Sequence, residues 1–247
     1  MSYLGYIKPL SGLLSNIESP RVLEIGVDFG QSTLPLVHNL LIMCDKFLYT
    51  GIDIYVRGEI TQQLIQMKNI FIYNINSLAE PDINVILHQD NSLNVLPALK
   101  ERGIKYDLIM IDGDHNYYTV KRELEIIKDI IHPSTIIICD DYNTRWAEKD
   151  LYYSEKPEYK DINLATERKQ TDKQGVRNAI LDFMDENKNW SMIEYGHDPC
   201  IMFQNDHIDV KVIPDGPHLS DGKIMLSFKS AESVNRFKEE SYAPVLG

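Results

Sequence analysis

Near the start of the chain stand Leu23-Glu24-Ile25-Gly26-Val27-Asp28-Phe29-Gly30, a short apolar run that ends in closely spaced glycines. Residues 21–25 predict a buried strand, and apolar residues at helical spacing over 32–43 predict a helix after the glycines. Glycines at a strand-to-helix turn let the backbone approach a ligand closely. The spacing is not G-x-G-x-x-G, which argues against a dinucleotide site, and a plain structural turn is the competing interpretation.

The alternation of strand and helix continues from this stretch to residue 140. Further strands are predicted over 47–52, 84–88, 106–111 and 135–139, with helices within 57–80 and over 93–102 and 116–130. Short strands separated by helices of this length indicate βαβ units and a parallel sheet covered on both faces. We therefore expect an α/β fold.

The pattern changes after residue 141. The segment 142–174 is polar, charged and rich in aromatic residues, which is typical of a functional lid. A helix over 175–187 and a hairpin over 190–204 follow. We expect one domain over residues 1–205 with this lid inserted, and a small appendage over 206–247 to which the sequence assigns no role.

Acidic residues follow successive strands at the edge where a ligand would bind. Glu24 precedes the first glycine and suits a cationic ligand that bears an amino group and a sulfonium. Asp53 ends the second strand, where a carboxylate can accept ribose hydroxyls, and Asp90 follows the third, where it can meet an adenine amino group. Together they indicate a nucleoside pocket, although Asp90 and Ser92 taken singly also suit helix N-caps.

A second acidic group follows the fourth and fifth strands. Asp112 ends the fourth strand, and the pair Asp140-Asp141 ends the fifth, so their carboxylates should gather. Such neighbours repel unless a cation lies between them, and oxygen ligands suit Mg²⁺, or Mn²⁺. His115 lies beside this group and is a candidate general base. The competing interpretation is that these aspartates only cap helices or shape turns.

These motifs resemble those of the class I S-adenosylmethionine-dependent methyltransferases. The run from Ile111 to His115, followed by Asp140-Asp141, resembles the macrocin O-methyltransferase group of metal-dependent sugar O-methyltransferases. The resemblance implies a Rossmann-like, seven-stranded, mostly parallel sheet with an antiparallel last strand. It implies Asp112, Asp140 and Asp141 on the metal and His115 as base. The residues expected around the cofactor are Glu24, Gly26, Asp28, Gly30, Ser32, Thr33, Asp53, Asp90, Asn91, Ser92 and Asp112.

Composition restricts the partners. The chain of 247 residues has 37 acidic and 25 basic residues and a net charge of −12, which disfavours nucleic acid and anionic membranes. Three scattered cysteines indicate neither a disulfide framework nor a zinc site. With no targeting segment and no membrane-length apolar run, we expect a cytoplasmic protein. Whether it forms a homo-oligomer is left open.

The sequence therefore predicts an O-methyltransferase that acts on a small-molecule hydroxyl, on a sugar or on a glycosylated or phenolic natural product. The aromatic residues Trp146, Tyr152, Tyr153 and Tyr159 of the lid would fold over that acceptor, ordinary packing being the alternative. Two other functions stay open: a methyltransferase that needs no metal, and a non-catalytic scaffold that binds S-adenosylmethionine. The glycine spacing disfavours a dehydrogenase.

Overall fold

The computed structural model describes residues 14–75, 83–159, 161–194, 198–204, 208–213 and 223–228. Its strands are β1 (Arg21–Ile25), β2 (Phe47–Asp53), β3 (Ile83–Gln89), β4 (Tyr106–Ile111), β5 (Ile131–Cys139), β6 (Trp190–Glu194), β7 (Cys200–Gln204), β8 (Ile208–Ile213) and β9 (Lys223–Phe228). Its α-helices are α1 (Thr33–Met43), α2 (Gly58–Ile75), α3 (Ser92–Glu101), α4 (Tyr117–Ile127) and α5 (Val176–Glu186). Two short 3₁₀ turns, Tyr153–Glu155 and Pro157–Tyr159, lie in the lid.

Seven strands form one sheet in the order β3-β2-β1-β4-β5-β7-β6. Strands β1 to β5 are parallel, and β7 runs antiparallel to both β5 and β6. The predicted seven-stranded α/β sheet with an antiparallel last strand is confirmed. The strands β8 and β9 pair separately as an antiparallel hairpin within the expected appendage.

Two apolar layers cover the two faces of the sheet. One layer contains Leu36 and Leu40 of α1, and the other contains Leu96 of α3 and Leu124 of α4. Every residue of β4 is buried, as the nearly continuous apolar run of that strand predicts. Burying one such side chain stabilises the folded state by roughly 1.5–3 kcal/mol. The two layers together therefore stabilise the sheet whose edge carries the site.

Strand β5 is longer than the sequence pattern indicates. The prediction began it at residue 135, where the run of mostly β-branched residues starts. The structure begins it at Ile131, which pairs with Tyr106 across a bulge in the register. His132 donates its backbone N–H to the Thr135 hydroxyl at 2.8 Å, so the irregularity around Pro133 is satisfied locally.

Parallel register brings the carboxyl ends of the strands together. Ile25 pairs with Ile52 on one side and with Ile111 on the other, and Ile111 pairs in turn with Cys139. The residues that follow these four positions therefore lie along one edge of the sheet. This edge carries the candidate site.

Candidate active site at the carboxyl edge of the sheet

A cavity of about 340 Å³ opens at this edge. Its wall is formed by the segments that follow β1, β2, β3 and β4, together with part of the lid. From the expected cofactor set, the residues that line it are Gly26, Asp28, Ser32, Asp53, Asp90, Asn91, Ser92 and Asp112. The structure therefore brings eight of the eleven expected residues to one cavity.

Gly26 is required by the close approach of two backbone segments. Its φ is +90°, and a Cβ atom built on it would lie 2.0 Å from the Asp112 carbonyl oxygen. The Gly26 N–H donates to the Ile52 carbonyl, and the Asp112 N–H donates to the Ile25 carbonyl, each at 2.8 Å. A side chain here would push apart the tips of β1 and β4, so the glycine sets the floor of the cavity.

Asp53 holds the loop after β1. Its Oδ2 accepts the backbone N–H groups of Val27 at 2.8 Å and Asp28 at 2.9 Å, and its Oδ1 accepts that of Tyr55 at 2.7 Å. A carboxylate offers about four acceptor positions. Three of these positions are therefore used by backbone N–H groups, which leaves an acceptor position on Oδ1 for a ligand hydroxyl.

The segment after β3 lines the cavity and also forms hydrogen bonds to the lid. Asp90 accepts the Asn91 N–H at 2.6 Å. Asn91 is the N-cap of α3, and its amide also donates to the Leu164 carbonyl at 2.8 Å and to the Thr166 hydroxyl at 3.0 Å. Asn91 is therefore the residue of this segment that caps the helix, and it also binds the lid through these two hydrogen bonds.

Glu24, Gly30 and Thr33 do not line the cavity. Strand alternation turns Glu24 away from the neighbouring Leu23 and Ile25, into the layer under α1. It is fully buried there, and Ser32, Thr33 and Tyr49 all donate hydroxyl hydrogen bonds to it. Burial raises the pKa of Glu24 despite these bonds. The structure thus places Glu24 under the start of α1, holding Ser32 at the wall, and not against a ligand.

Gly30 has a packing role instead. A Cβ atom on it would lie 2.8 Å from the Ile60 Cδ1 atom of α2. The Asp28 side chain is more than half exposed at the rim, where it pairs with Arg57 at 3.3 Å. Asp28 also has a positive φ of +41°, in the left-handed region that Asp adopts more readily than most residues do.

The second acidic group assembles beside the cavity, with one member that the sequence analysis missed. Carboxylate oxygens of Asp140, Asp141 and Asp198 lie within 4.8 Å of one another. Asp112 lies against Asp140, and burial, together with that neighbouring carboxyl, raises the pKa of Asp112 well above its usual value. Burial and Asp140 also raise the pKa of Asp198 to about 7. Four carboxyl groups thus meet, although Asp112 falls outside the tightest three.

Asp198 could have been found from strand register. Cys139 of β5 pairs with Cys200 of the antiparallel β7, so residue 198 must lie opposite residue 141. Asp198 accepts the backbone N–H groups of Asp141 and Tyr142, each at 2.9 Å. The sequence analysis treated this hairpin connection as a turn and did not carry the register through it.

His115 is oriented by Asp141. Its Nδ1 lies 2.8 Å from Asp141 Oδ2, and its Nε2 lies 3.3 Å from the Tyr153 hydroxyl of the lid. Burial acts to raise the pKa of Asp141, but hydrogen bonds from His115 and Thr144 outweigh it and the pKa falls below its usual value. An ionised carboxylate on Nδ1 leaves Nε2 facing the cavity, as a general base requires.

The lid is fastened at several points. Leu151 donates its N–H to the His115 carbonyl at 2.9 Å, and Asp150 Oδ1 accepts the N–H groups of Tyr117 at 2.9 Å and Gly175 at 2.8 Å. Thr166, which bonds to Asn91, also contacts the carboxyl of Asp114. The lid therefore contacts the segments after β3 and β4 at once.

Two of the four lid aromatics reach the cavity. Tyr153 and Tyr159 line it, whereas Tyr152 is buried within the lid and Trp146 lies outside the lining. Arg57, Lys156 and Thr166 also line the cavity without having been expected. Isolated basic residues and a threonine give no distinctive sequence pattern, because only the folded lid brings them to the site.

A sheet of this order, with a cavity at its carboxyl edge, is a Rossmann-like α/β arrangement. Residues 23–142, a little under half of the chain, match the family described as a methyltransferase domain. No curated protein matches the chain by sequence.

Two of the similar solved structures have TM-scores above 0.5 and share the fold. The first two are of CalS11, described as a TDP-rhamnose 3'-O-methyltransferase of calicheamicin biosynthesis. Their TM-scores are 0.53 and 0.55 at 14% and 13% identity, and the match covers 81% of this chain and 78% and 77% of CalS11. MycE, a mycinamycin methyltransferase solved with Mg and SAH, has a TM-score of 0.48 at 16% identity, over 83% of this chain and 51% of its own. An rRNA methylase from Streptococcus thermophilus has a TM-score of 0.42 at 9% identity, over 80% and 91%.

No helix in the described part of the chain is long and apolar enough to cross a membrane.

Proposed function

We propose that this protein is a metal-dependent O-methyltransferase, which moves a methyl group from S-adenosylmethionine to a hydroxyl of a sugar or of a glycosylated or phenolic natural product. The observation that carries the proposal is the meeting of four carboxyl groups with His115 beside the cavity. The sugar acceptor is extended to this chain from CalS11, a TDP-rhamnose 3'-O-methyltransferase. The net charge of −12 supports a small acceptor over nucleic acid.

The carboxyl cluster fits a divalent cation. Asp140 Oδ1 is buried and accepts no hydrogen bond from any residue that the structure describes. A buried oxygen without a partner is costly, and a cation among oxygen ligands would remove that cost. The ligands would be Asp140, Asp141 and Asp198, with Asp112 adjoining them, and Mg²⁺ is the first choice, then Mn²⁺.

The chain's own residues supply positioning and proton transfer. Gly26 and Asp53 shape the floor on which the nucleoside part would lie, and Asp141 fixes the imidazole of His115 so that Nε2 can take the acceptor proton. When bound, S-adenosylmethionine supplies an electrophilic methyl group and a divalent cation makes an acceptor hydroxyl more acidic. The lid excludes water and aligns the acceptor, and such alignment can lower a barrier by several kcal/mol.

One observation favours the alternative in which no metal is needed. His115 and Asp141 are already paired at 2.8 Å, so the base is oriented without any ion. In that case the acidic cluster would only brace the loops after β5 and β6.

A panel of sugar, glycoside and phenolic acceptors, incubated with methyl-labelled S-adenosylmethionine, tests the proposal. Label should pass to at least one acceptor, should stop after chelation with EDTA, and should return on addition of Mg²⁺. Transfer that continues in EDTA would establish the metal-independent alternative. The absence of both transfer and cofactor binding by calorimetry would refute the enzyme assignment.

A further inference from the structure

The cavity wall carries charge of both signs. Aspartates form most of its charged lining, namely Asp28, Asp53, Asp90, Asp112 and Asp114. Arg57, in the loop after β2, and Lys156, in the lid, also line it. Neither cation is accounted for by the methyl-transfer mechanism above.

Arg57 has an unused donor. Its Nε is buried and has no hydrogen-bond partner among the described residues, although the residue lines the cavity. The guanidinium carbon lies 3.7 Å from the centre of the Phe29 ring, and the ion pair that Arg57 forms with the largely exposed Asp28 spans 3.3 Å. A buried guanidinium N–H without an acceptor is costly, which favours a ligand that supplies one.

Lys156 has no counter-charge among the residues that the structure describes. Its Nζ lies 4.3 Å from the centre of the Tyr153 ring, and no described carboxylate lies within ion-pair distance of it. Seven other basic side chains do pair with carboxylates: Lys100, Lys121, Arg122, Arg168, Lys173, Arg177 and Lys188. In a chain with this excess of acids, an unpaired lysine at a cavity wall is a feature to explain.

The cavity that the two cations line also contains a pair of aromatic rings. Tyr153 and Tyr159 meet edge to face with their centres 5.0 Å apart, and Lys156 lies over Tyr153. Arg57 lies over the Phe29 ring and 5.5 Å from the centre of the Tyr55 ring, and it lines the same cavity as Tyr159. Tyr153 also reaches His115 Nε2 at 3.3 Å, which places this ring pair directly beside the proposed base.

We propose that the methyl acceptor carries an anionic group, a phosphate or a carboxylate, which Arg57 and Lys156 bind while its ring lies against Tyr153 and Tyr159. The proposal rests on the proposed methyltransferase function and names the chemical class of its acceptor. Guanidinium groups bind phosphate and carboxylate with paired hydrogen bonds, and aromatic faces suit sugar or flat rings. The aspartates at the strand ends repel an anion, so the acceptor would place its charge at the cations and its hydroxyl towards His115.

Calorimetry on the protein saturated with S-adenosylhomocysteine tests this, with EDTA present so that no bound metal ion can hold the anion. The probes are inorganic pyrophosphate, D-glucuronate and the uncharged methyl glucoside. We expect at least one anion to bind and the glucoside to bind more weakly. Whether pyrophosphate or glucuronate binds more tightly distinguishes a phosphate from a carboxylate acceptor.

Variants assign the binding to the two cations. Lys156→Met and Arg57→Met should each lower the affinity for the anion about tenfold, as expected for the loss of one charge-assisted contact. Lys156→Arg and Arg57→Lys, which keep the charge, should recover part of the loss. Lys188→Met is the matched control, because Lys188 is exposed and pairs with Asp185, and it should change nothing.

Three results would overturn the proposal. They are no anion binding by the wild-type protein, unchanged anion binding in both methionine variants, or an equal loss of affinity for S-adenosylhomocysteine in those variants. The last result would assign the cations to the carboxylate of the cofactor. Failure of the wild-type protein to bind S-adenosylhomocysteine at all would instead count against the methyltransferase function itself.

Discussion

Replacing Gly26 by alanine tests whether the first strand end is shaped by a close backbone approach. Two penalties apply. The first is the positive φ of +90°, which an L-residue with a Cβ adopts at a cost of roughly 1–2 kcal/mol. The second is the overlap of the new Cβ with the Asp112 carbonyl oxygen, 2.0 Å away, which only movement of the β4 end can relieve.

Gly103 separates these penalties. It also has a positive φ, +67°, but a Cβ on it would meet nothing within 4 Å. Gly103→Ala should therefore lower the free energy of unfolding by about 1–2 kcal/mol, from backbone strain alone. Gly26→Ala should lower it by more, about 3 kcal/mol or above, since backbone strain and overlap combine.

Urea unfolding measures both losses, and calorimetry with S-adenosylhomocysteine measures the effect on the cavity. Gly26→Ala should remove most cofactor binding at a temperature where the variant is still folded, and Gly103→Ala should retain it. Equal stability losses in the two variants, or unchanged cofactor affinity in Gly26→Ala, would refute the proposed role of this contact.

Three further changes probe other parts of the site. Burial raises the pKa of Glu123 to about 8, so its folded carboxyl keeps a proton that the unfolded chain releases above about pH 4.5. The free energy of unfolding that this bound proton contributes is fully present at low pH and is lost as the pH rises to about 8. In the wild-type protein it therefore makes the free energy of unfolding fall by about 1.4 kcal/mol per pH unit between pH 5 and 8. Glu123→Gln should remove this fall, as measured by urea unfolding at a series of pH values. His115→Ala should slow methyl transfer by about 10²–10⁴-fold, with little loss of cofactor affinity. Thr166→Ala should speed amide hydrogen exchange over residues 142–159, because the hydroxyl joins the lid to Asn91 and Asp114.

Each of these has a matched control and a contrary result. Glu101→Gln, at an exposed position, should leave the pH profile of stability unchanged, and a profile equally steep in Glu123→Gln would show that Glu123 is ionised in the folded protein. His38→Ala, at an exposed position on α1, should keep full turnover, and an unchanged rate in His115→Ala would reassign the base. Thr171→Ala, whose hydroxyl bonds only to the nearby Lys173 carbonyl, should leave lid exchange unaltered. Faster exchange in this control than in Thr166→Ala would refute the lid contact.

Much of the sheet could be predicted because its strands are buried on both faces. The apolar runs of β1, β4 and β5 have no polar face that would blur the pattern, and the helices between them show regular apolar spacing. Parallel order then places the strand ends together, which is why Asp53, Asp90 and Asp112 reach one cavity as expected. The sequence pattern placed the start of β5 at residue 135. The structure begins this strand at Ile131, because a local bulge accommodates Pro133 within it.

The site could be predicted less fully, for two physical reasons. Successive residues of a strand point to opposite faces of the sheet, and the sequence does not show which face lies next to the ligand. Glu24 points to the face that is buried beneath α1. Residues far apart in the chain meet only after the lid and the final hairpin fold, which hid Asp198, Arg57 and Lys156. The single aspartate-proline step at residue 198 has no meaning in the sequence until its register with β5 is known.

The proposed activity depends on a divalent cation that carboxylates at the strand ends would hold beside the base and the cofactor. Titration of Mn²⁺, followed by electron paramagnetic resonance on the complex with S-adenosylhomocysteine, tests it most directly. We predict one saturable ion per chain, an affinity about tenfold or more weaker in Asp140→Asn and Asp198→Asn, and no change in the exposed control Asp185→Asn. Equal Mn²⁺ binding by all four proteins, or no saturable binding by the wild-type chain, would contradict the claim.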